Sequence, residues 1–345
     1  MALTSVYLAP SMTVGLRAAP AGAFLLTAGL LALAETRTDL ALLMSERLAP
    51  GTGWLQVLAL AAYAAWLARA MLDPRRQPRL RRRIWLAFSI VFFAQFALGL
   101  VGLAGAFGLD VLGVFLMTGE LHVPVPAVII GGPLFRGGGL FMPILFAATL
   151  LLVGPAWCSH LCYFGAFDAQ AAARRRRPVQ LPRWVTPLRM GLLLAVPAAA
   201  LALRAAGVPG LTAALVGAGF GVAGITVMLL VSRRLGTMAH CIVWCPLGLV
   251  SDLLGRISPF RVRIGSDCDD CQACTRACRF SALHRADIAR RQPGLSCTLC
   301  GDCVQACPKV QLGYRFPGLS PARARALFVT VVVALHAVFL GVARI

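Results

Sequence analysis

Cys268-Asp-Asp-Cys271-Gln-Ala-Cys274-Thr-Arg-Ala-Cys278 and Cys297-Thr-Leu-Cys300-Gly-Asp-Cys303-Val-Gln-Ala-Cys307-Pro308 decide how this chain is read. Both follow C-x2-C-x2-C-x3-C. The chain has 12 cysteines, and the other four form two C-x3-C pairs, Cys158/Cys162 and Cys241/Cys245. No cysteine is left over. Thiolates at such close spacing are metal ligands rather than packing residues. Disulfides would suit an oxidising compartment, but a repeated, specific spacing argues against them.

The surroundings of these clusters are strongly apolar. Of 345 residues, 59% are hydrophobic and 13% charged. A soluble domain carries about 25% charged residues, so composition places the chain in the membrane class. Lys309 is its only lysine, and the formal net charge of +20 comes from arginine. That charge sits in short blocks beside apolar segments, so it reads as membrane topology and not as a nucleic-acid surface. Four thiolates per metal cluster would also lower the true charge.

A membrane helix needs roughly 20 apolar residues. Windows that meet this requirement lie at 18–34, 54–72, 84–108, 138–157, 188–206, 211–231 and 325–342. Arginine blocks flank them: Arg75, Arg76, Arg79 and Arg81 to Arg83, then Arg174 to Arg177, then Arg233 and Arg234. All three agree with seven spans, an inner amino terminus and an outer carboxyl terminus. The first window ends in Ala32-Leu33-Ala34, like a leader cleavage site, yet only Arg17 precedes it; it is read as an uncleaved helix. Residues 109–137 are broken by His122-Val-Pro-Val-Pro126 and by glycines 131, 132 and 137 to 139, so they read as an outer-side loop or re-entrant segment.

The expected organisation is an all-α polytopic membrane domain over 1–260, with the C-x3-C motifs at 157–166 and 240–249. A small α+β module follows at 261–320 on the cytoplasmic side, and a last helix at 321–345. Eight cysteines in so short a module leave little room for an apolar core, so metal ligation would supply folding energy there.

The two quartets resemble the bacterial two-cluster ferredoxin. In that pattern the fourth cysteine of each run ligates the other cluster. The resemblance implies two [4Fe-4S] clusters, one on Cys268, Cys271, Cys274 and Cys307, the other on Cys297, Cys300, Cys303 and Cys278. Zinc sites usually show separated cysteine pairs instead. Arg279 stands where the pattern has proline.

The C-x3-C pairs both read C-x3-C-x2-G, ending at Gly165 and Gly248, which looks like an internal duplication. Cysteines at i and i+4 share one helix face. Three readings stay open for them: a third metal centre, redox-active thiols, or inert buried thiols.

Taken together, these motifs are similar to the membrane polyferredoxins of the NapH, NosR, MauN and CcoG kind over roughly 138–310. Cys245-Pro246 matches that family's C-x3-C-P; Cys162-Tyr163 lacks the proline. The resemblance implies electron relay between quinone and a partner oxidoreductase or ferredoxin subunit, in a bacterial inner membrane. A quinol dehydrogenase-type subunit, a cupric reductase or oxidase assembly factor, and a membrane anchor for a soluble dehydrogenase are the readings it offers.

Other polar residues are read more plainly. His336 lies inside a window and His122 on the outer segment, but no second in-span histidine completes a haem pair. His160 and His240 flank the C-x3-C cysteines, either as proton carriers at a quinol site or as interfacial polar groups. Asp110 and Glu120 read as loop residues, and Arg69 and Arg204 as snorkelling span ends. No phosphate loop, nucleotide fingerprint or hydrolytic triad appears.

Overall fold

The last helix, Pro321–Val342, runs through the middle of the bundle. Its Phe328, Val329, Val332, Val333 and Ala337 are all buried. It packs on Pro10–Arg37 and Gly53–Met71, and small residues allow the close approach. A Cβ on Gly341 would press on Leu60 and Leu31. These are features of a computed structural model that describes residues 10–37, 41–73, 76–103, 126–182 and 184–342.

Six helices among the described residues are long and apolar enough to cross a membrane: Ala18–Arg37, Gly53–Met71, Phe141–His160, Val185–Ala205, Gly210–Leu235 and Pro321–Val342. Their outer faces are greasy. Leu188, Leu194 and Leu201 on one helix, and Leu211, Leu215, Val222 and Leu229 on the next, are exposed. A contiguous surface of this kind needs lipid or protein against it. The protein is mostly helical, with the build of a membrane protein.

The seventh expected window, 84–108, falls on the helix Gln77–Leu103, whose side chains from 95 on, like residues 104–125, lie outside the description. Here the structure departs from expectation. The helix begins at Gln77, with Pro78 in its first turn where the missing N–H costs nothing. Arg79 and Arg81 to Arg83 are therefore helical, not loop residues, and Arg81 is buried.

Asp110, Glu120 and His122 lie outside the described residues. The rest of the 109–137 segment includes an 11-residue helix, Pro126–Arg136. It would be about 16 Å long, too short to span. It packs on Val185–Ala205 and Gly210–Val227. Arg204 donates to Leu134 O at its end (3.3 Å), so this arginine caps a half-helix.

The segment 261–320 is tied off by a two-stranded antiparallel sheet. Arg261–Ile264 pairs with Leu312–Arg315 in the register Val262 to Tyr314 and Ile264 to Leu312. Those four side chains point inward and are buried, while the arginines alternate outward. Entry and exit thus lie side by side against the bundle. Tyr314 stacks on Phe328 of the last helix at 4.8 Å, and Phe260 meets the same ring at 5.4 Å.

Candidate iron–sulfur site

The two cysteine quartets have the same backbone, position for position. Each third cysteine lies in a five-residue helix, Ala273–Ala277 or Asp302–Ala306. Each helix is entered through a left-handed residue, Gln272 (φ 57°) or Gly301 (φ 83°). Two residues after each first cysteine, Asp270 (54°) and Leu299 (56°) are also left-handed. So are Ser281 (51°) and Val310 (54°), three residues after each fourth cysteine. Such backbone costs about 1–3 kcal/mol per non-glycine residue and persists only where something holds it. Among the described residues, Arg291 is the one positive-φ non-glycine outside this pattern.

The folds of the two loops bring the quartets together crosswise. Cys268, Cys271, Cys274 and Cys307 line one hollow. Cys278, Cys297, Cys300 and Cys303 line a second, with Val262, Phe280 and Leu283 as its apolar wall. The fourth cysteines each accept a backbone N–H: Ala282 N to Cys278 Sγ at 3.3 Å, and Gln311 N to Cys307 Sγ at 3.2 Å. Such N–H···S contacts favour ligating sulfur and tune cluster potentials. Among the described residues, no three His, Cys, Asp or Glu side chains lie close enough to share one metal ion. The thiols instead line the two hollows, four to each.

The hollows differ in exposure. The first has Cys271 at the surface. The second faces the bundle, and burial pushes its thiols up, Cys297 to about 11 and Cys300 to about 12. Thiolates there need a positive partner.

The C-x3-C pairs form a further convergence. Cys162 (φ −74°, ψ 118°) and Cys245 (φ −76°, ψ 118°) take the same extended conformation and sit at the start of Tyr163–Ala173 and Pro246–Leu254. The N–H groups of Phe164 and Gly165 face the Cys162 sulfur, and those of Leu247 and Gly248 face Cys245. A helix start favours thiolate. The four thiols also act on one another electrostatically: Cys241 with Cys158, Cys162 and Cys245, and Cys158 with Cys162 and Cys245. Burial pushes Cys241 and Cys245 upward, the latter to about 12.

The glycine of each motif now has a reason. A Cβ on Gly165 would lie 2.6 Å from Cys158 O, and one on Gly248 would strike Cys241 O. The two repeats also support each other across their interface. Asp168 Oδ2 accepts from Cys241 N (3.0 Å), and Ser251, at the matching position of the second repeat, lies beside the Cys158 thiol.

Asp168, Ser251, Gln77 and Trp85 did not stand out in the sequence, and Arg81 stood there only among the arginines that flank the spans. Gln77, Arg81 and Trp85 recur at four-residue intervals, the signature of one helix face. Gln77 Nε2 reaches Cys300 O at 3.5 Å, and Trp85 Nε1 donates to Cys162 O at 2.7 Å. Arg279 donates to Ala172 O (2.6 Å) and Gly236 O (2.8 Å), so it fastens the 261–320 segment to the helix ends beside Arg174 to Arg177.

His160 and His240 are buried beside the C-x3-C cysteines. Nδ1 of His160 meets Ser159 Oγ at 2.9 Å and Nδ1 of His240 meets Gly224 O at 3.0 Å, while neither Nε2 has a hydrogen-bond partner among the described residues. His336 meets Tyr63 OH at 3.2 Å.

The model of a family described as "4Fe-4S binding domain" matches residues 135–182 and 215–265. The matched segments hold Cys158/Cys162 and Cys241/Cys245 and stop before Cys268. No curated protein and no solved structure matches the chain. Over these two segments, less than half its length, the chain is similar to that iron–sulfur family, and with its apolar helices it fits an iron–sulfur membrane protein.

Proposed function

We propose that the chain is a membrane electron carrier built around three iron–sulfur centres. The observation that carries this reading is the crosswise assembly of two four-cysteine hollows on repeated, left-handed loops. In it, Cys268, Cys271, Cys274 and Cys307 hold an outer [4Fe-4S] cluster. Cys278, Cys297, Cys300 and Cys303 hold an inner one. Cys158, Cys162, Cys241 and Cys245 hold a third centre, supported by the match of both their segments to a 4Fe-4S family.

When bound, such clusters accept and release single electrons. The chain's own residues do the rest. In this reading the centres run from the exposed Cys271 edge, through the inner hollow, to the bundle. Val262, Phe280 and Leu283 give the inner hollow an apolar wall. Backbone N–H groups direct hydrogen bonds at the sulfurs.

In this reading the arginine-bearing loops and the 261–320 module share the cytoplasmic face of a bacterial inner membrane. The positive-inside rule supports that side, because Arg279 binds the module to the loop of Arg174 to Arg177. Quinone in the membrane and a soluble oxidoreductase at the Cys271 edge are the proposed exchange partners. His160 and His240, whose buried Nε2 atoms have no hydrogen-bond partner among the described residues, are the proposed proton carriers on the quinone side.

Iron and acid-labile sulfide counting on anaerobically purified protein tests the reading. About twelve irons per chain are expected, four for each of three [4Fe-4S] clusters. About eight would remove the third centre, and none would sink the proposal.

A further inference from the structure

Arg81 stands at the joint between the C-x3-C segment and the inner hollow. Its side chain is 4% exposed. Nη1 donates to Ser159 O at 2.8 Å, one residue from Cys158. Nη2 reaches both carboxylate oxygens of Asp302, at 3.1 and 3.2 Å, between Cys300 and Cys303. The guanidinium lies 5.5 Å over the Trp85 ring and acts directly on the Cys300 thiol.

Burying a guanidinium costs several kcal/mol even when it is paired. A topology signal does not need this: neighbouring Arg79 and Arg83 serve it from exposed positions. Arg82 approaches the same Asp302 carboxylate at 3.5 Å. Asp302 disfavours the Cys300 thiolate and Arg81 favours it, so the two side chains bias the site in opposite senses.

A cluster held by four thiolates carries net negative charge, and reduction adds one electron without making or breaking a bond. Arginine stays protonated throughout. In a low-dielectric site a fixed cation favours the more negative state. We propose that Arg81 is a positioning residue that raises the reduction potential of the centre held by Cys278, Cys297, Cys300 and Cys303, with Asp302 opposing it. This rests on the iron–sulfur reading of that hollow.

The test is an EPR-monitored redox titration of the full-length, detergent-purified protein, with the inner signal assigned by its loss in Cys303→Ser. Arg81→Gln is expected to lower the inner centre's reduction equilibrium constant about tenfold, which for one electron is ~59 mV. Arg81→Lys, which keeps the charge, should stay close to wild type. Asp302→Asn should shift the same signal upward, and the outer signal should not move in any variant. A packing defect would not reverse sign between Arg81→Gln and Asp302→Asn. Shifts in the same direction, or an unmoved inner signal in iron-loaded Arg81→Gln, overturn the inference alone. If Arg81→Gln does not accumulate, Asp302→Asn decides: an upward shift supports it, no shift or a downward one overturns it. Iron-free wild-type protein overturns both this inference and the reading beneath it.

Discussion

Ser159 donates from Oγ to the carbonyl oxygen of Thr298 at 2.7 Å. Ser159 follows Cys158 and Thr298 follows Cys297, so one buried hydrogen bond joins the C-x3-C segment to the inner quartet. Ser159→Ala leaves Thr298 O and His160 Nδ1 without this partner. The expected cost is about 1–3 kcal/mol, because a buried acceptor loses its donor. Thermal unfolding of the detergent-solubilised protein measures it; an unchanged midpoint would show that the joint is held elsewhere.

Gly165→Ala and Gly248→Ala should each damage the C-x3-C centre while sparing the two quartets. The new methyl group meets the carbonyl of the first cysteine in its own motif, and at Gly165 the Trp85 ring as well. Overpacking of this kind costs about 1–3 kcal/mol. The expected result is loss of about four irons per chain, one [4Fe-4S] cluster, with both ferredoxin-type signals intact. Full iron content in both variants contradicts the contact argument.

The proposed crosswise ligation makes a paired prediction. Cys307→Ser should disturb the cluster of Cys268, Cys271 and Cys274, although Cys307 follows Cys303 in sequence. Cys278→Ser should disturb the other. EPR spectra of the two variants should therefore lose complementary signals. If each variant lost the signal of its own sequence run, the ligand sets would be local instead.

Arg279→Ala should loosen the attachment of the 261–320 segment. It removes donors to Ala172 O, Arg175 O and Gly236 O, and hydrogen bonds from charged groups contribute about 1.5–3 kcal/mol; its partial exposure puts this case at the lower end. Limited proteolysis should cut faster between 256 and 267 than in wild type. Equal cutting rates would mean that the Tyr314 and Phe260 contacts with Phe328 hold the module without it.

Much of the site was legible because its information is local. The spacing of the two quartets carries the resemblance to a two-cluster ferredoxin, and that resemblance implies the crosswise sets at Cys278 and Cys307; the same sets of cysteines line the two hollows. Hydropathy likewise locates the apolar helices, since each must be apolar along its own length. The C-x3-C-x2-G repeat was visible too, but its reason was not. Gly165 and Gly248 are required by carbonyls that only the folded turn brings against them.

Arg81 was illegible for a different reason. In a block of arginines it carries the same charge as its neighbours, and charge alone signals topology. Only the helix phase from Gln77 turns it inward, and only the docked 261–320 segment supplies Asp302. Asp168 and Ser251 are similar: each supports a cysteine of the other repeat, a relation that depends on two distant segments meeting.

The sequence by itself determined the chemistry of the ligands and the class of the surrounding protein. Thiol spacing and apolar length are properties of short stretches, and no partner is needed to state them. Tertiary structure decided which four-cysteine hollow faces the bundle, how the C-x3-C repeats meet, and where the buried charge of Arg81 lies. Those depend on packing between segments far apart in the chain, through contacts such as Arg81 with Asp302 and Ser159 with Thr298.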